Sequence, residues 1–294
     1  MILVVGATGF LGSEICRQLR AKGRPVTALV RSTSEQTKVE NLTNFGTTLF
    51  YGDLKDRRSL DNACQGITTI ISTASATISY QSGDSIPNVD QAGQISLIEA
   101  AKATGVSQMI YISISGNIDT ECPLVTAKRG VEQHLRRSGL TYTILRPSYF
   151  MEAWLSPMVG FDFPNAKAQI YGTGQNKISW IALGDVAQFA VAALDNLAAQ
   201  NTVIELGGPE TVSPLAVVGI FEKLAGRPFE IQHVPEAALQ TQKAATTAPL
   251  QQSFAALMLA YAKGDAIDMR ATLQTFPIQL TSVREYATRV LSMA

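Results

Sequence analysis

The sequence predicts an α/β protein: a doubly wound parallel sheet carrying a smaller C-terminal α+β lobe. Three observations carry this reading. Short apolar runs recur through the first 150 residues with amphipathic stretches between them, a glycine-rich turn follows the first run, and the rhythm loosens after about residue 150. Strands are expected at 2–5, 25–30, 48–51, 68–73, 108–113 and 141–146. Apolar runs without polar alternation suit strands covered on both faces. In the first intervening helix Leu11, Ile15 and Leu19 recur at i, i+4 and i+8, which lays one apolar stripe against the sheet. A later helix, "QISLIEAAKATGV", ends on Gly105 as its terminator. Repeated β-α-β units imply right-handed crossovers and one sheet. Residues 1–150 are therefore expected as the sheet domain and 151–294 as the smaller substrate-binding lobe, with part of 183–206 returning to the first. Further helices are expected at 183–196, 213–225, 251–262 and 282–292, with short strands near 202–206 and 229–233. The polar run 238–250 reads as a mobile loop or a frayed helix.

Composition narrows the possible partners. The 294 residues are 46% hydrophobic and 16% charged, with 24 basic against 24 acidic side chains. That balance gives no electrostatic reason to expect nucleic acid or an anionic membrane. No apolar run approaches the ~20 residues of a spanning helix, and "MILVVGATG" runs straight from a strand into a turn without a charged leader. The expectation is a cytoplasmic protein, monomer or homodimer, acting on a small molecule without membrane insertion. Cys16, Cys64 and Cys122 lack metal spacing and suit a reducing compartment. Cys16 and Cys64 read as small core residues, and Cys122, beside a proline, as an exposed one. His134 and His233 are isolated, so no metal site is expected.

In "VVGATGFLG", Gly6, Gly9 and Gly12 stand between strand 1 and helix 1. Gly6 permits the tight turn, Gly9 lets backbone amides approach a pyrophosphate, and Gly12 permits close packing of helix on strand. The helix N-terminus adds partial positive charge. This strand–turn–helix context gives the glycines the meaning of a Rossmann dinucleotide turn, with Thr8, Phe10 and Leu11 as the other turn residues at the ligand. An acidic residue ending strand 2 would favour NAD. The sequence instead has "LVRSTSE", with Arg31 and Ser32 there, and an arginine fork suits a ribose phosphate, so NADP(H) is favoured over NAD(H). Asp53 and Leu54 of "GDL" are expected at the adenine edge. Thr73, Ala74 and Ser75 of "STAS" are expected beside the pyrophosphate and nicotinamide ribose.

The whole chain resembles the NmrA-like atypical short-chain dehydrogenase/reductases. The resemblance rests on the glycine turn and Arg31, on "GDL", "LIEAAKATGV" (97–106) and "YIS" (111–113), and on "KRGVEQHLRRSGLTYTILRPSYFMEAW" (128–154), "YGTGQNKISWIALGDVA" (171–187) and "ELGGPE" (205–210). Short-chain dehydrogenases usually carry Tyr-x-x-x-Lys on the helix after strand 5. Here the stretch is Leu124-Val125-Thr126-Ala127-Lys128, and leucine exchanges no proton. The resemblance implies two roles for Lys128, ribose ligand or general acid/base; as a bare sequence feature it also reads as a surface lysine beside Arg129. Ser113 matches the family's substrate-side serine, or else caps a strand end. Tyr149 and Tyr80 are the candidate replacement proton donors. Tyr149, Phe150, Met151, Trp154 and Trp180 suggest an apolar aromatic acceptor pocket, or alternatively packing between lobes. The expected activity is NADPH-dependent hydride transfer to a conjugated acceptor such as a quinone, an enone or an aromatic dye. The alternative is an NADP(H)-sensing regulatory or assembly protein.

Overall fold

The computed structural model describes residues 1–79 and 81–293. Its strands are β1 (Ile2–Val5), β2 (Val26–Val30), β3 (Thr48–Tyr51), β4 (Thr69–Ser72), β5 (Gln108–Ile112), β6 (Thr141–Pro147), β7 (Phe161–Asp162), β8 (Lys167–Tyr171), β9 (Thr202–Leu206) and β10 (Glu230–Val234). The helices of the first sheet are α1 (Phe10–Ala21), α2 (Gln36–Asn44), α3 (Arg57–Ala63), α4 (Gln94–Thr104) and α5 (Pro123–Arg136). A π-helical stretch, Ile86–Gly93, leads into α4. Seven strands lie in the order β3-β2-β1-β4-β5-β6-β9, and the pairings from β3 through to β6 are all parallel. Strand order reverses between β1 and β4, so the carboxyl ends of these two strands open the crevice in which ligands of such sheets bind.

The chain divides into two compact units, and the division does not fall at a single point near 150. The first comprises Met1–Ser113, Thr126–Leu145 and Ala187–Ile204; the second comprises Ile114–Val125, Arg146–Val186 and Glu205–Ala294. In the first unit β1, β2 and β4 are buried along their whole length. Leu3, Ile70, Leu97, Met109, Tyr111, Val131 and Ile144 join one continuous core, at about 1.5–3 kcal/mol for each large apolar side chain removed from water. Cys16 and Cys64 are buried, and burial pushes their thiols up to about 12 and about 11. Cys122 is buried too, against its sequence expectation: Leu124, next but one, anchors this turn by donating its amide to Ser253 Oγ at 3.1 Å.

The second unit contains a three-stranded sheet, β10-β8-β7. Its central strand β8 was not anticipated. Ala168 and Ile170 are buried while Lys167 and Gln169 face outward, the alternation of a half-solvated strand. The run 238–250 is also more ordered than its composition suggests. It forms the helix Glu236–Ala245 and the opening of Pro249–Lys263, because alanine, glutamine and lysine are good helix formers even where only Leu239 is buried.

The aromatic residues expected to line a pocket converge instead on Tyr261 inside this unit. Trp154 stacks on Tyr261 at 5.5 Å, while Tyr149 and Trp180 meet it edge-on at 5.7 Å each. Tyr149, Met151 and Trp180 are buried. The Tyr149 hydroxyl donates to the Leu257 carbonyl at 3.1 Å and the Trp180 indole N–H to the Val212 carbonyl at 2.8 Å. These three residues are packed core, the Tyr149 hydroxyl and the Trp180 indole N–H being consumed within the unit. Only Phe150 and Trp154 of the five keep partly open faces.

Candidate functional site

The glycine turn is shaped by three different demands. Gly6 has φ +82°, and a Cβ there would stand 2.7 Å from the Ala74 amide nitrogen. A Cβ on Gly12 would lie 2.2 Å from the Gly6 carbonyl oxygen, inside any allowed contact. Gly9 is different: it is extended, and its Cβ would meet only the Gly6 oxygen at 3.2 Å. Packing fixes Gly6 and Gly12, whereas a side chain on Gly9 would project into the space in front of the turn. Gly9 is also the N-cap of α1; among the described residues no side chain caps this helix, and its first turn holds no acidic residue. The leading amides of α1, from Phe10, Leu11 and Gly12, are therefore free of intrahelical acceptors and backed by the helix dipole. Thr8 and Leu11 are half-buried beside them and Phe10 is exposed. A glycine cradle with an uncapped amide cluster fits a dinucleotide diphosphate.

The loop after β4 closes the other side of the turn. Val5 pairs with Ser72 in register, the Thr73 amide donates to the Val5 carbonyl at 2.9 Å, and the Thr73 hydroxyl donates to the same oxygen at 3.2 Å. Ala74 lies against Gly6, and the Ser75 hydroxyl donates to Thr77 Oγ1 at 3.2 Å. Two buried polar residues that the sequence reading passed over hold this loop from below. Gln94 accepts from the Ser72 hydroxyl at 2.8 Å and donates to the Ala74 carbonyl at 3.0 Å. Asp90 Oδ2 accepts from the Ala76 amide at 2.9 Å. A signal did exist: Asp90 and Gln94 fall at i and i+4 in line with the apolar Leu97 and Ile98, so two polar side chains sit on a buried helix face.

At the far end of the crevice Arg31, directly after β2, pairs with Asp84 at 2.5 Å. Lys55 binds the other Asp84 oxygen and lies 3.2 Å from Asp53. Asp53 thus sits among charges, while Leu54, expected at the adenine edge, is buried in the core of the unit, in the apolar cluster that also holds Val89 and Ala76. Ser32 is exposed. Burial alone would raise the Asp84 carboxyl, but hydrogen bonds from Lys55, Ser79 and Arg31 hold it below the usual carboxylate range. Its stabilising contribution is therefore present above the ordinary aspartate pKa and lost as pH falls through the lowered value.

Lys128 answers the question its sequence context leaves open: it is 6% exposed and not a surface lysine. Its Nζ donates to the Ile112 carbonyl at 3.3 Å, lies 3.7 Å from Asp90 Oδ1 and stands 5.2 Å from the Tyr111 ring centre. Among the described residues Asp90 Oδ1 accepts no hydrogen bond, so the ammonium is its only compensating charge in reach. Burial pushes the lysine pKa down, and the Asp90 carboxylate opposes that shift. Ser113 directly follows β5, yet its hydroxyl is committed: it donates to the buried carboxylate of Glu132, which Arg129 also binds at 2.6 Å. Ser113→Ala should therefore cost about 1–2 kcal/mol of stability, the loss of one donor to a buried charge, measured by denaturant melting. A variant of unchanged stability with turnover down about a hundredfold would return Ser113 to the substrate side. Tyr149 offers no accessible acid, since burial raises its hydroxyl well above the ordinary tyrosine value. Tyr80 lies outside the described residues.

No helix among the described residues is long and apolar enough to cross a membrane. The chain is 29% identical to the isoflavone reductase homolog IRL of Zea mays, covering 99% of this chain and 98% of that one. It is 32% identical to a photosystem II assembly factor of Guillardia theta, over 80% of this chain and 73% of the relative. Among solved structures, the NADPH-dependent quinone oxidoreductase of Escherichia coli complexed with NADPH shares the fold, with TM-score 0.80 at 24% identity over 99% of this chain and 100% of that one. The model of the NmrA-like family matches residues 1–287, and the chain belongs to that family.

Proposed function

We propose that this protein is an NADPH-dependent reductase that delivers hydride to a conjugated, weakly charged acceptor such as a quinone, an enone or an aromatic dye. The observation that carries the reading is Lys128, a buried ammonium held at the carboxyl end of β5 by Ile112 and Asp90 in the same unit as the uncapped glycine turn. When bound, the nicotinamide supplies the hydride; the chain's residues bind, orient and manage charge. The α1 amides hold the diphosphate, Arg31 meets the ribose phosphate, and Lys128 orients the nicotinamide ribose. Leu124 supplies no proton, and the Tyr149 hydroxyl is buried and bonded inward. Acceptors whose reduced form is a delocalised anion suit such a site, because solvent can protonate them after transfer.

Steady-state NADPH oxidation against a panel of quinones, enones and azo dyes tests the reading, with turnover expected for at least one class. Leu124 and the likeness to an assembly factor favour a second reading, an NADP(H)-sensing regulatory or assembly protein. NADPH binding without turnover on any acceptor would select that one.

A further inference from the structure

We propose that Asp84 is a specificity-determining residue: its carboxylate stands in for the ribose 2′-phosphate and must be displaced before Arg31 can bind that phosphate. The inference rests on the nucleotide reading above and goes beyond it.

Three observations carry it. First, the segment after β4 is strapped across the end of β2. Gln81 donates to the Thr33 carbonyl at 2.8 Å and accepts from the Thr33 hydroxyl, and Asp84 reaches Arg31. Second, the Asp84 side chain is 3% exposed although it carries a full charge, while its two cationic partners, Arg31 and Lys55, are 29% and 27% exposed. The carboxylate thus fills the inner side of a two-cation fork whose outer side is open, the geometry in which a phosphate would be gripped. Third, the charges cancel. Arg31 and Lys55 face Asp84 and Asp53, two cations against two anions. A phosphate approaching this cluster meets no net positive charge until Asp84 releases a cation.

A further consequence is that the strap weakens discrimination between the phosphorylated and unphosphorylated ribose. Replacing Asp84 should sharpen that discrimination, whereas a carboxylate that merely positioned Arg31 would do the opposite on removal. The two roles predict opposite signs.

The experiment is calorimetric titration of the full chain with two probes that differ only in the 2′-phosphate, adenosine 2′,5′-bisphosphate and adenosine 5′-monophosphate. Asp84→Asn, which keeps the side-chain shape and one acceptor oxygen but removes the charge, should tighten the bisphosphate about tenfold at low salt and leave the monophosphate essentially unchanged. The gain should vanish when Arg31→Ala is added, since the guanidinium for which Asp84 and the phosphate compete is then gone. Weaker bisphosphate binding in Asp84→Asn, or an equal change for both probes, overturns the competition while leaving the nucleotide site intact. Absence of binding by either probe to wild type and variant alike overturns the nucleotide reading and this inference together.

Discussion

Gly12→Ala should destabilise the protein by about 3 kcal/mol or more and abolish dinucleotide binding. The new methyl would sit 2.2 Å from the Gly6 carbonyl oxygen, 2.7 Å from the Gly6 carbonyl carbon and 2.9 Å from the Ala7 Cα. All three are backbone atoms, so no side chain can rotate away, and relief requires α1 to move off β1. Overpacking against a movable side chain costs about 1–3 kcal/mol; a backbone clash at the centre of the first unit belongs at or above the top of that range. The displacement would also carry the amides of Phe10, Leu11 and Gly12 away from the position proposed for the diphosphate. Gly9→Ala supplies the contrast. Its methyl meets one oxygen at 3.2 Å, so the fold should survive while binding falls. Denaturant melts together with an NADPH titration separate the two. A Gly12→Ala protein that melts like wild type and still binds would show that the turn does not have this geometry.

The difference between these two glycines also shows how much of the molecule is legible in the sequence. The spacing of Gly6, Gly9 and Gly12 after four apolar residues located the turn, and the strands from β1 to β6 fall within a residue or so of their predicted bounds, because fully buried parallel strands write continuous apolar runs. The spacing also assigned the turn and the packing to Gly6 and Gly12 and the ligand to Gly9, but the atoms that crowd the first two, in Ala74 and Ala7, were not legible. The same holds for charge. Arg31 and Lys128 stood out in the sequence, but their partners Asp84 and Asp90 lie more than thirty residues away along the chain and read as ordinary loop and helix acids. The aromatic residues misled for a related reason: composition records that Tyr149, Met151 and Trp180 are large and apolar, but not that Tyr261, from a distant helix, arrives to fill the space between them. In β8 the alternation was present from Lys167 to Ile170, but it stops at buried Tyr171, and so short a window does not let the period stand out.

Lys128→Met should lower kcat/KM for NADPH-dependent reduction by about a hundredfold or more, the scale of a group that positions or protonates at the reacting centre. It should also cost about 3–5 kcal/mol of stability, since Asp90 would then be a buried carboxylate without its counter-charge. A single variant therefore confounds chemistry with folding, and the pair separates them. In Lys128→Met/Asp90→Asn both charges are gone, the amide can still accept from the Ala76 N–H, and most of the lost stability should return. Turnover should not. The wild type carries its own signature in pH. Burial lowers the lysine pKa from its ordinary 10.5, so the folded state binds this proton less tightly than the unfolded chain. Below the lowered value the penalty is at full strength; it relaxes as pH rises toward 10.5, and stability gains over that window. Both methionine variants should lack this alkaline gain. If the double variant recovers stability and reduces acceptors at the wild-type rate, Lys128 is a partner for a buried carboxylate and nothing more. A stable, inactive double variant instead leaves the ammonium itself as the group that the reaction requires.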